Sequence, residues 1–464
     1  MGKLSFFFLF ILSFRSQALV PQNFFQNDLE ILDSIILHNE IKSLSIKSLK
    51  ETDRFLYYSK DPLERISNKF NIPKYFKDAT HFWFNIYTLY ESSHAVIHDK
   101  ENLKIVYNVL DYSELRESGM NPHTRVALQV RFNEKKISTY KKSLINLSKG
   151  KKSGEVEKEI LQRLKNLEIS IPKSASKRKR FFLDLSDNIR TQTGQKDNIF
   201  GGLKHYASFQ ETISQYFKHF NAPKELLAIA FLESSFNSRA KSKVGATGVW
   251  QFMRRTGRYF MDVNTYQDGR LNPLLATAGA LHLLKQNFRI LGRWDLAVPA
   301  YNSGTKHILR AKRRLSKKFD SISLELILQN YSHPPLGFAS QNFYSSFLAL
   351  VHALAYKKEI YEIEKNELKP TYPFQDKKIK AYLTLCKLKP SWFFRAMKSS
   401  AGIKILNKHI KKRGLYRNFP PGLILFSDVE LTSRRYYEIK PERMPKRYPK
   451  NWQKLAKGQS CSTK

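Results

Sequence analysis

Residues 224–253 read KELLAIAFLESSFNSRAKSKVGATGVWQFM, and they contain the pattern that decides the fold. Every residue from Leu226 to Leu232 is apolar, which is typical of a helix buried on all sides. Glu233 follows on the same stripe as Leu226 and Ala230, in the last turn of this helix. Burial and the negative end of the helix dipole both disfavour a carboxylate, so we expect a raised pKa for Glu233.

A carboxylic acid that stays neutral near pH 7 can protonate the leaving oxygen of a glycosidic bond. This makes Glu233 a candidate general acid. The alternative is a structural glutamate whose carboxyl group is hydrogen-bonded to nearby backbone. The helix alone does not choose between these two interpretations.

Downstream of this helix the sequence is marked by short turns and further helix signals. Gly245 and Gly248 permit tight turns that could bring backbone close to a sugar. Asn272-Pro273 predicts a helix start, because asparagine caps helices and proline favours their first turn. Gly304 predicts the end of the helix that carries Trp294 to Tyr301.

Three blocks occur in a fixed order along this region. They are Glu233-Ser234, then Ser242-x-x-Gly-Ala-x-Gly-x-x-Gln-x-Met253, and then Ala300-Tyr-Asn-x-Gly304. Together they resemble the catalytic domain of soluble-type lytic transglycosylases, which are relatives of goose-type lysozyme. The resemblance covers residues 196–355 and implies a mainly α fold with a lysozyme-like, goose-type helical catalytic domain.

The resemblance also implies a reaction and a site. Glu233 matches the single catalytic acid, which protonates the bond between N-acetylmuramic acid and N-acetylglucosamine in peptidoglycan. The same group then takes the proton of the muramyl 6-hydroxyl, which closes a 1,6-anhydro ring with no metal or cofactor. Ser242 matches a serine near the substrate's acetamido group, Gln251 and Met253 match groove-lining positions, and Tyr301 matches a tyrosine close to the acid. The matched residues expected to shape loops are Gly245, Gly248, Asn302 and Gly304.

The chain departs from the family pattern at several positions. The family has proline after the serine and after the methionine, where this chain has Lys243 and Arg254. A later block, Glu-Thr-x-x-Tyr-Val, is replaced at 339–344 by ASQNFY. The loss of a glutamate and a tyrosine hydroxyl there puts the detail of the substrate subsites in doubt.

A single catalytic carboxylate leaves alternatives open, because ordinary glycosidases pair two. Asp262 and Asp268 are the nearest further candidates, and we interpret both as solvated loop residues. Goose-type hydrolysis, in which water attacks in place of the 6-hydroxyl, therefore remains an alternative. A non-catalytic wall-binding protein is a second alternative, although a domain without catalytic activity has no reason to retain the acid.

The charge balance is strongly basic, with 80 Lys+Arg against 40 Asp+Glu and a formal net charge of +40. Such a chain attracts polyanions, and nucleic acid, anionic lipid and cell wall all qualify. The N-terminus indicates a compartment. Lys3, the apolar stretch at 4–14 and Ser16-Gln17-Ala18 form a signal-peptide pattern, and the stretch is shorter than the about 20 residues of a membrane span.

We therefore expect residues 1–18 to be removed and the protein to be periplasmic or secreted. An uncleaved anchor is the alternative to this expectation. Export argues against a nucleic-acid partner, as does the lack of a recognisable basic recognition helix. Peptidoglycan glycan strands are the expected partner, with a monomeric protein and no stable membrane anchor.

The two cysteines, Cys386 and Cys461, are too few for a disulfide framework and argue against a structural zinc site. Whether they pair with each other stays open.

Residues 19–195 are expected to form a mixed α/β N-terminal region. Residues 95–98 and 103–109 predict two strands joined as a hairpin, and 155–167 predict a helix. The basic stretches 149–153 and 173–180 are expected to be exposed links.

The C-terminal part is divided into two predicted segments. Residues 356–440 are expected to form a small α+β module that faintly resembles a LysM-like segment, with two short helices, a turn at 419–422 and a strand at 423–426. Residues 441–464 are expected to be a disordered basic tail.

Overall fold

A computed structural model of the chain describes residues 52–265, 267–331 and 338–364. It also describes short pieces at 368, 379–384, 406–407, 409–410, 423–428, 430–431, 436–441 and 444. The predicted signal peptide, both cysteines, the predicted turn at 419–422 and the tail after residue 444 lie outside the described residues.

The described residues are mainly helical, as the sequence predicts. The helices of the N-terminal part are α1 (Thr52–Tyr58), α2 (Lys77–Thr88), α3 (Ser113–Glu117), α4 (Pro122–Ser148), α5 (Glu155–Asn166) and α6 (Ala175–Asn188). Those that follow are α7 (Lys196–Ala207), α8 (Gln210–His219), α9 (Ala228–Ser234), α10 (Arg254–Phe260), α11 (Pro273–Leu291), α12 (Trp294–Ser303), α13 (Thr305–Leu315), α14 (Leu324–Asn330), α15 (Phe338–Ala355) and α16 (Lys357–Ile360). Short 3₁₀ segments occur at Asn68–Phe70, Lys74–Phe76, Lys224–Leu227 and Gly269–Leu271.

Two small antiparallel sheets complete the fold. The first has the order β2-β1-β3, from β1 (His94–Asp99), β2 (Val106–Asp111) and β3 (Ile189–Thr193). The predicted hairpin is confirmed, with Val96 opposite Val109, but β3 was not expected. The second sheet joins β4 (Lys380–Thr384) to β5 (Ile424–Ser427) and β6 (Tyr436–Glu438), so the strand expected at 423–426 is confirmed within one residue.

The helix α5 and the link at 149–153 agree with the sequence predictions. The link predicted at 173–180 is wrong from residue 175 onward, because these residues form the first turns of α6. They are exposed, as expected, but Phe182 and Leu185 further along pack into the core and hold the whole segment helical. Lysine and arginine are good helix formers, so a basic run is compatible with a helix once apolar anchors follow it.

The segment 224–233 does not form one continuous α-helix. It begins with a 3₁₀ turn at Lys224–Leu227 and continues as α9. The start of α11 agrees with the prediction, because the Asn272 side chain accepts hydrogen bonds from the backbone N–H groups of Leu274 and Leu275 at 2.9 and 3.0 Å. Gly304 follows the last residue of α12, as expected.

The apolar side chains form two cores. The smaller one lies between the first sheet and the helices α4 to α6, around residues such as Tyr107, Leu144 and Phe182. The larger one combines α2 with α7 to α9, α11, α12 and α15, and Trp83 of α2 belongs to the same cluster as Phe231 of α9. This shared core brings the N-terminal part of the chain against the helix that carries Glu233. The domain boundary at residue 195 stays a prediction.

Candidate active site

Glu233 is the second-to-last residue of α9, where the helix ends abruptly. The chain turns because Ser235 and Phe236 adopt left-handed backbone conformations, with φ values of 49° and 56°. Non-glycine residues rarely adopt such φ values, and consecutive ones indicate a locally strained turn. Glu233 therefore lies directly before a locally strained turn.

The carboxyl group of Glu233 is buried, with 5% of the residue exposed. Its Oε1 atom has no hydrogen-bond partner among the described residues. Burial raises the pKa of Glu233 from 4.5 to about 8, which agrees with the expected direction. The group is therefore protonated at neutral pH, and its unpartnered oxygen favours the chemical interpretation over the structural one.

A cavity of about 450 Å³ opens beside Glu233. Three parts of the chain build its walls, namely the end of α9 with the turn that follows it, one side of α7, and a surface from α2 and β3. The lining residues are Trp83, Tyr87, Gln192, Gln195, Asp197, Asn198, Gly201, Gly202, His205, Phe231, Leu232, Glu233, Ser234, Ser235, Asn237 and Ala240.

Two aromatic residues of α2 contribute to this cavity, and the sequence interpretation did not identify them. Trp83 and Tyr87 stack with their ring centroids 6.0 Å apart. The indole Nε1–H of Trp83 donates to the Asn342 Oδ1 atom at 3.1 Å. Burial, and to a smaller extent the nearby Glu233 carboxylate, raises the pKa of Tyr87. Such rings offer apolar faces with polar tips, which suits the mixed surface of a sugar.

One residue of the altered block at 339–344 contacts this aromatic part of the cavity wall. Its Asn342 is the acceptor for Trp83, and Phe343, which stands where the family has tyrosine, is completely buried. The departure from the family pattern therefore coincides with the contact between α15 and α2.

Ser242, Gly245 and Gly248 lie in the loop between α9 and α10. The Ser242 Oγ atom accepts a hydrogen bond from the Ala246 N–H at 2.9 Å, so it closes a turn. Gly245 and Gly248 have φ values of 86° and 81°. A Cβ atom on Gly248 would lie 1.8 Å from the Arg270 carbonyl oxygen, so this glycine brings the backbone close to the chain itself and not to the cavity.

Gln251 is inside the same loop. It is 3% exposed, and its Nε2 atom donates to the carbonyl oxygens of Gly248 and Ala240 at 2.8 and 3.2 Å. Met253 is half-buried at the start of α10. The predicted substrate contacts of Ser242, Gln251 and Met253 stay predictions, since none of the three lines the cavity beside Glu233.

Tyr301 lies near the acid, as expected. Its hydroxyl donates to the Trp250 carbonyl oxygen at 2.6 Å. Burial raises the pKa of Tyr301 well above its usual value, and the Glu233 carboxylate adds to the rise. Asn302 is buried and Gly304 follows the last residue of α12, and their roles in shaping the loop stay predictions.

The loop is anchored by a buried ion pair that the sequence did not reveal. The Arg270 guanidinium donates to both carboxylate oxygens of Asp268, at 2.9 and 2.8 Å. Its Nη1 atom reaches the carbonyl oxygens of Gly245 and Phe252 at 3.0 and 3.1 Å. The interpretation of Asp268 as a solvated residue is wrong, because only 7% of it is exposed and its carboxylate is held by Arg270. Asp262 accepts from the Gln267 amide at 2.9 Å.

Within the described residues, no group of three or more His, Cys, Asp or Glu side chains is arranged to hold a metal ion. No helix in the described part of the chain has both the length and the apolar character needed to cross a membrane.

In comparison with known proteins, residues 212–323 match a family model described as the transglycosylase SLT domain. The chain is 32% identical over 120 residues to membrane-bound lytic murein transglycosylase D of Escherichia coli K12, and equally to that of Escherichia coli O6:H1. It is also 32% identical over 108 residues to a protein of Alteromonas sp. (strain M-1) named for tributyltin chloride resistance. These matches cover 25%, 25% and 23% of this chain and 26%, 26% and 52% of the relatives.

Proposed function

We propose that the chain is a lytic transglycosylase of peptidoglycan, on the premise that its residues 212–323 match the transglycosylase SLT domain family. Glu233 is its single catalytic acid and base, and the products carry 1,6-anhydromuramyl ends. The observation that supports this most directly is the buried, unpartnered carboxyl group of Glu233, with a pKa of about 8, at the wall of a cavity.

The proposed reaction uses this one carboxyl group twice. Protonated Glu233 gives its proton to the oxygen that links N-acetylmuramic acid to N-acetylglucosamine, and the bond from that oxygen to the muramyl anomeric carbon breaks. The resulting carboxylate takes the proton of the muramyl 6-hydroxyl while the hydroxyl oxygen bonds to the anomeric carbon. Glu233 ends protonated, so the cycle needs no water and no second carboxylate.

Hydrolysis remains the alternative, since an attacking water would need the same acid. A single-carboxylate mechanism is supported in either case, because Asp197, the other carboxylate that lines the cavity, is paired with Arg116, and Asp268 is paired with Arg270. Ser242, Gln251, Met253 and Tyr301 are proposed to shape or contact the substrate groove.

The wider setting is also part of the proposal. We infer that the chain is exported through the signal-peptide pattern at 1–18 and acts on glycan strands in the periplasm or outside the cell. We propose that it acts as a monomer, with peptidoglycan and not nucleic acid as its partner. The basic charge fits this setting, because the peptides of peptidoglycan carry carboxylates.

Product analysis tests the proposal. The protein is incubated with purified peptidoglycan, and the released fragments are identified by mass spectrometry. Anhydromuramyl ends are the expected result, whereas reducing ends would assign hydrolysis. Binding without release would indicate a wall-binding protein.

The matched control is Glu233→Gln, which keeps the size and polarity of the side chain but cannot transfer a proton. It is expected to abolish release while circular dichroism shows an unchanged fold. Normal release by this variant would contradict the assignment of Glu233.

A further inference from the structure

Gln192 lies outside the transglycosylase SLT domain yet lines the cavity beside Glu233. It is the fourth residue of β3, where its backbone is opposite Val96 of β1. The side chain is nearly inaccessible, with 4% of the residue exposed. A residue of the N-terminal sheet is thus part of the wall around the proposed acid.

The two ends of the Gln192 amide have different surroundings. The Nε2 atom donates to the Thr193 carbonyl oxygen at 3.0 Å. The Oε1 atom is buried and has no partner among the described residues. The Thr193 carbonyl oxygen can only accept a hydrogen bond. If the side-chain amide of Gln192 were rotated by 180°, its oxygen would face this carbonyl oxygen, and two acceptors would lie together. The unsatisfied end of Gln192 is therefore the carbonyl oxygen.

An unsatisfied buried acceptor is costly, and natural proteins keep few of them. Among the described residues that line this cavity, the unpartnered buried side-chain atoms belong to Glu233 and Gln192. Two neighbouring polar side chains are already paired. Gln195 accepts from Asn198 at 3.0 Å, and Asp197 is held by Ser92 and Arg116.

A bound molecule that supplies a hydrogen-bond donor would satisfy this oxygen. We infer that Gln192 accepts a hydrogen bond from a neutral N–H or O–H group of an N-acetylated glycan bound in the Glu233 cavity. The inference rests on the proposed function. It makes Gln192 a binding residue supplied by the N-terminal sheet, with Trp83 and Tyr87 as the adjoining aromatic surface.

A binding measurement tests this role without turnover. The probe is the pentamer of N-acetylglucosamine, and its affinity is measured by titration calorimetry in the Glu233→Gln background. Adding Gln192→Met, which keeps the length but removes the acceptor, is expected to weaken binding about tenfold. Thr191→Val is the matched control, because adjacent strand residues face opposite sides of the sheet, and it should stay within about twofold.

The deacetylated pentamer separates the two possible donors. A loss confined to the acetylated probe assigns the donor to the acetamido N–H, and a loss of the same size on both probes assigns it to a donor that both probes carry, a sugar hydroxyl or the nitrogen itself. Both results support the inference. Unchanged affinity of a folded Gln192→Met variant for both probes would overturn it, as would failure of the Gln192-containing parent to bind either one.

A second variant covers the case in which Gln192→Met does not fold. Gln192→Glu keeps an acceptor and places a carboxyl group in the same cavity as Glu233. The alkaline limb of the pH profile of fragment release should then move to higher pH, because a nearby negative charge disfavours ionisation of Glu233. If the alkaline limb of the pH profile stayed at the same pH, the placement of residue 192 in the site would be contradicted. Wild-type release is measured alongside, so a failure of the proposed function is seen separately from a failure of this inference.

Discussion

The burial of Glu233 makes the protein less stable at neutral pH than it would be without an ionisable group there. The pKa is about 8 in the folded state and 4.5 in the reference state. Between these values the folded state binds a proton that the unfolded state releases, so stability falls as the pH rises. The loss begins near pH 4.5 and is complete only above about pH 8.

Glu233→Gln should remove this loss. The variant is expected to exceed the wild type in free energy of unfolding by on the order of 3 kcal/mol at pH 7, with the difference shrinking towards zero near pH 4.5. Urea unfolding at a series of pH values measures it. A difference that does not change with pH would show that the carboxyl group is ionised in the folded state.

The same pKa predicts the pH dependence of activity. The first step needs the protonated form of Glu233, so fragment release should fall as the pH rises through about 8. Initial rates of release between pH 3 and pH 10 measure this decline. A decline centred near 4.5 would mean that bound substrate or water removes the effect of burial.

At the level of single residues, the sequence identified the acid but not its surroundings. Glu233 could be predicted because its burial follows from the apolar residues beside it in the chain. Trp83, Tyr87 and Gln192 could not, because they reach the cavity only when α2 and β3 pack against α9 and α7. The IRTQT pattern of β3, with β-branched residues at alternate positions, was the available signal for that strand.

The helix α7 approaches the turn after Glu233 closely at a glycine. A Cβ atom on Gly202 would lie 2.1 Å from the Ser235 carbonyl oxygen, in the strained turn that follows Glu233. The neighbouring Gly201, in the same helix, has no atom within 4 Å of an added Cβ atom. Gly202 therefore permits a contact between two elements, whereas Gly201 does not.

The two glycines predict opposite effects of alanine. Gly202→Ala should destabilise the protein by about 1–3 kcal/mol, because α7 must move away from the turn. Gly201→Ala should be neutral or stabilising by up to about 1 kcal/mol, as expected for glycine in a helix. Thermal unfolding of both variants checks the contrast, and equal effects would contradict the close packing at Gly202.

The loop between α9 and α10 depends on the buried pair of Arg270 and Asp268. Asp268→Asn leaves a buried guanidinium without its counter-charge, so the free energy of unfolding should fall by about 3–5 kcal/mol. Asp262→Asn is the control, because Asp262 is half-buried and accepts from an amide, and it should cost less than about 1 kcal/mol. Denaturant unfolding of both variants measures these changes in the free energy of unfolding. If Asp268→Asn lost no more stability than Asp262→Asn, the ion pair would not be what holds the loop.

Elements with strong local signals were predicted, and those set by distant contacts were not. The cap at Asn272 and the stop at Gly304 are encoded by single residues whose chemistry suits those positions. The segment 173–180 looked like a link because its charges dominate, and only packing through Phe182 and Leu185 makes it helical. The 3₁₀ turn before α9 follows Pro223 and has no apolar periodicity of its own to reveal it.

At the scale of the whole molecule, the proposed site is not contained in one continuous part of the chain. The family match begins at residue 212, but three residues of the cavity wall come from 83–192. The large core joins these parts through the contact of α2 with α15, so the wall and the acid are held in one packed unit. The N-terminal part is consequently expected to matter for substrate binding and not only for stability.

The net charge of +40 predicts how the protein should respond to salt. Long-range attraction to the carboxylates of intact peptidoglycan is screened over about 8 Å at physiological ionic strength and over about 3 Å at 1 M. Release from intact peptidoglycan should therefore fall severalfold between low and high salt, since fewer molecules reach the surface.

An uncharged substrate separates this effect from one on the site itself. Binding of the N-acetylglucosamine pentamer relies on the cavity beside Glu233, where the contacts are short and largely shielded from solvent, so its affinity should vary by less than about twofold over the same range. Parallel salt titrations with the two substrates measure the difference. An equal effect of salt on both substrates would show that salt acts on the site or on the fold. The basic surface would then have no part in attracting the protein to peptidoglycan.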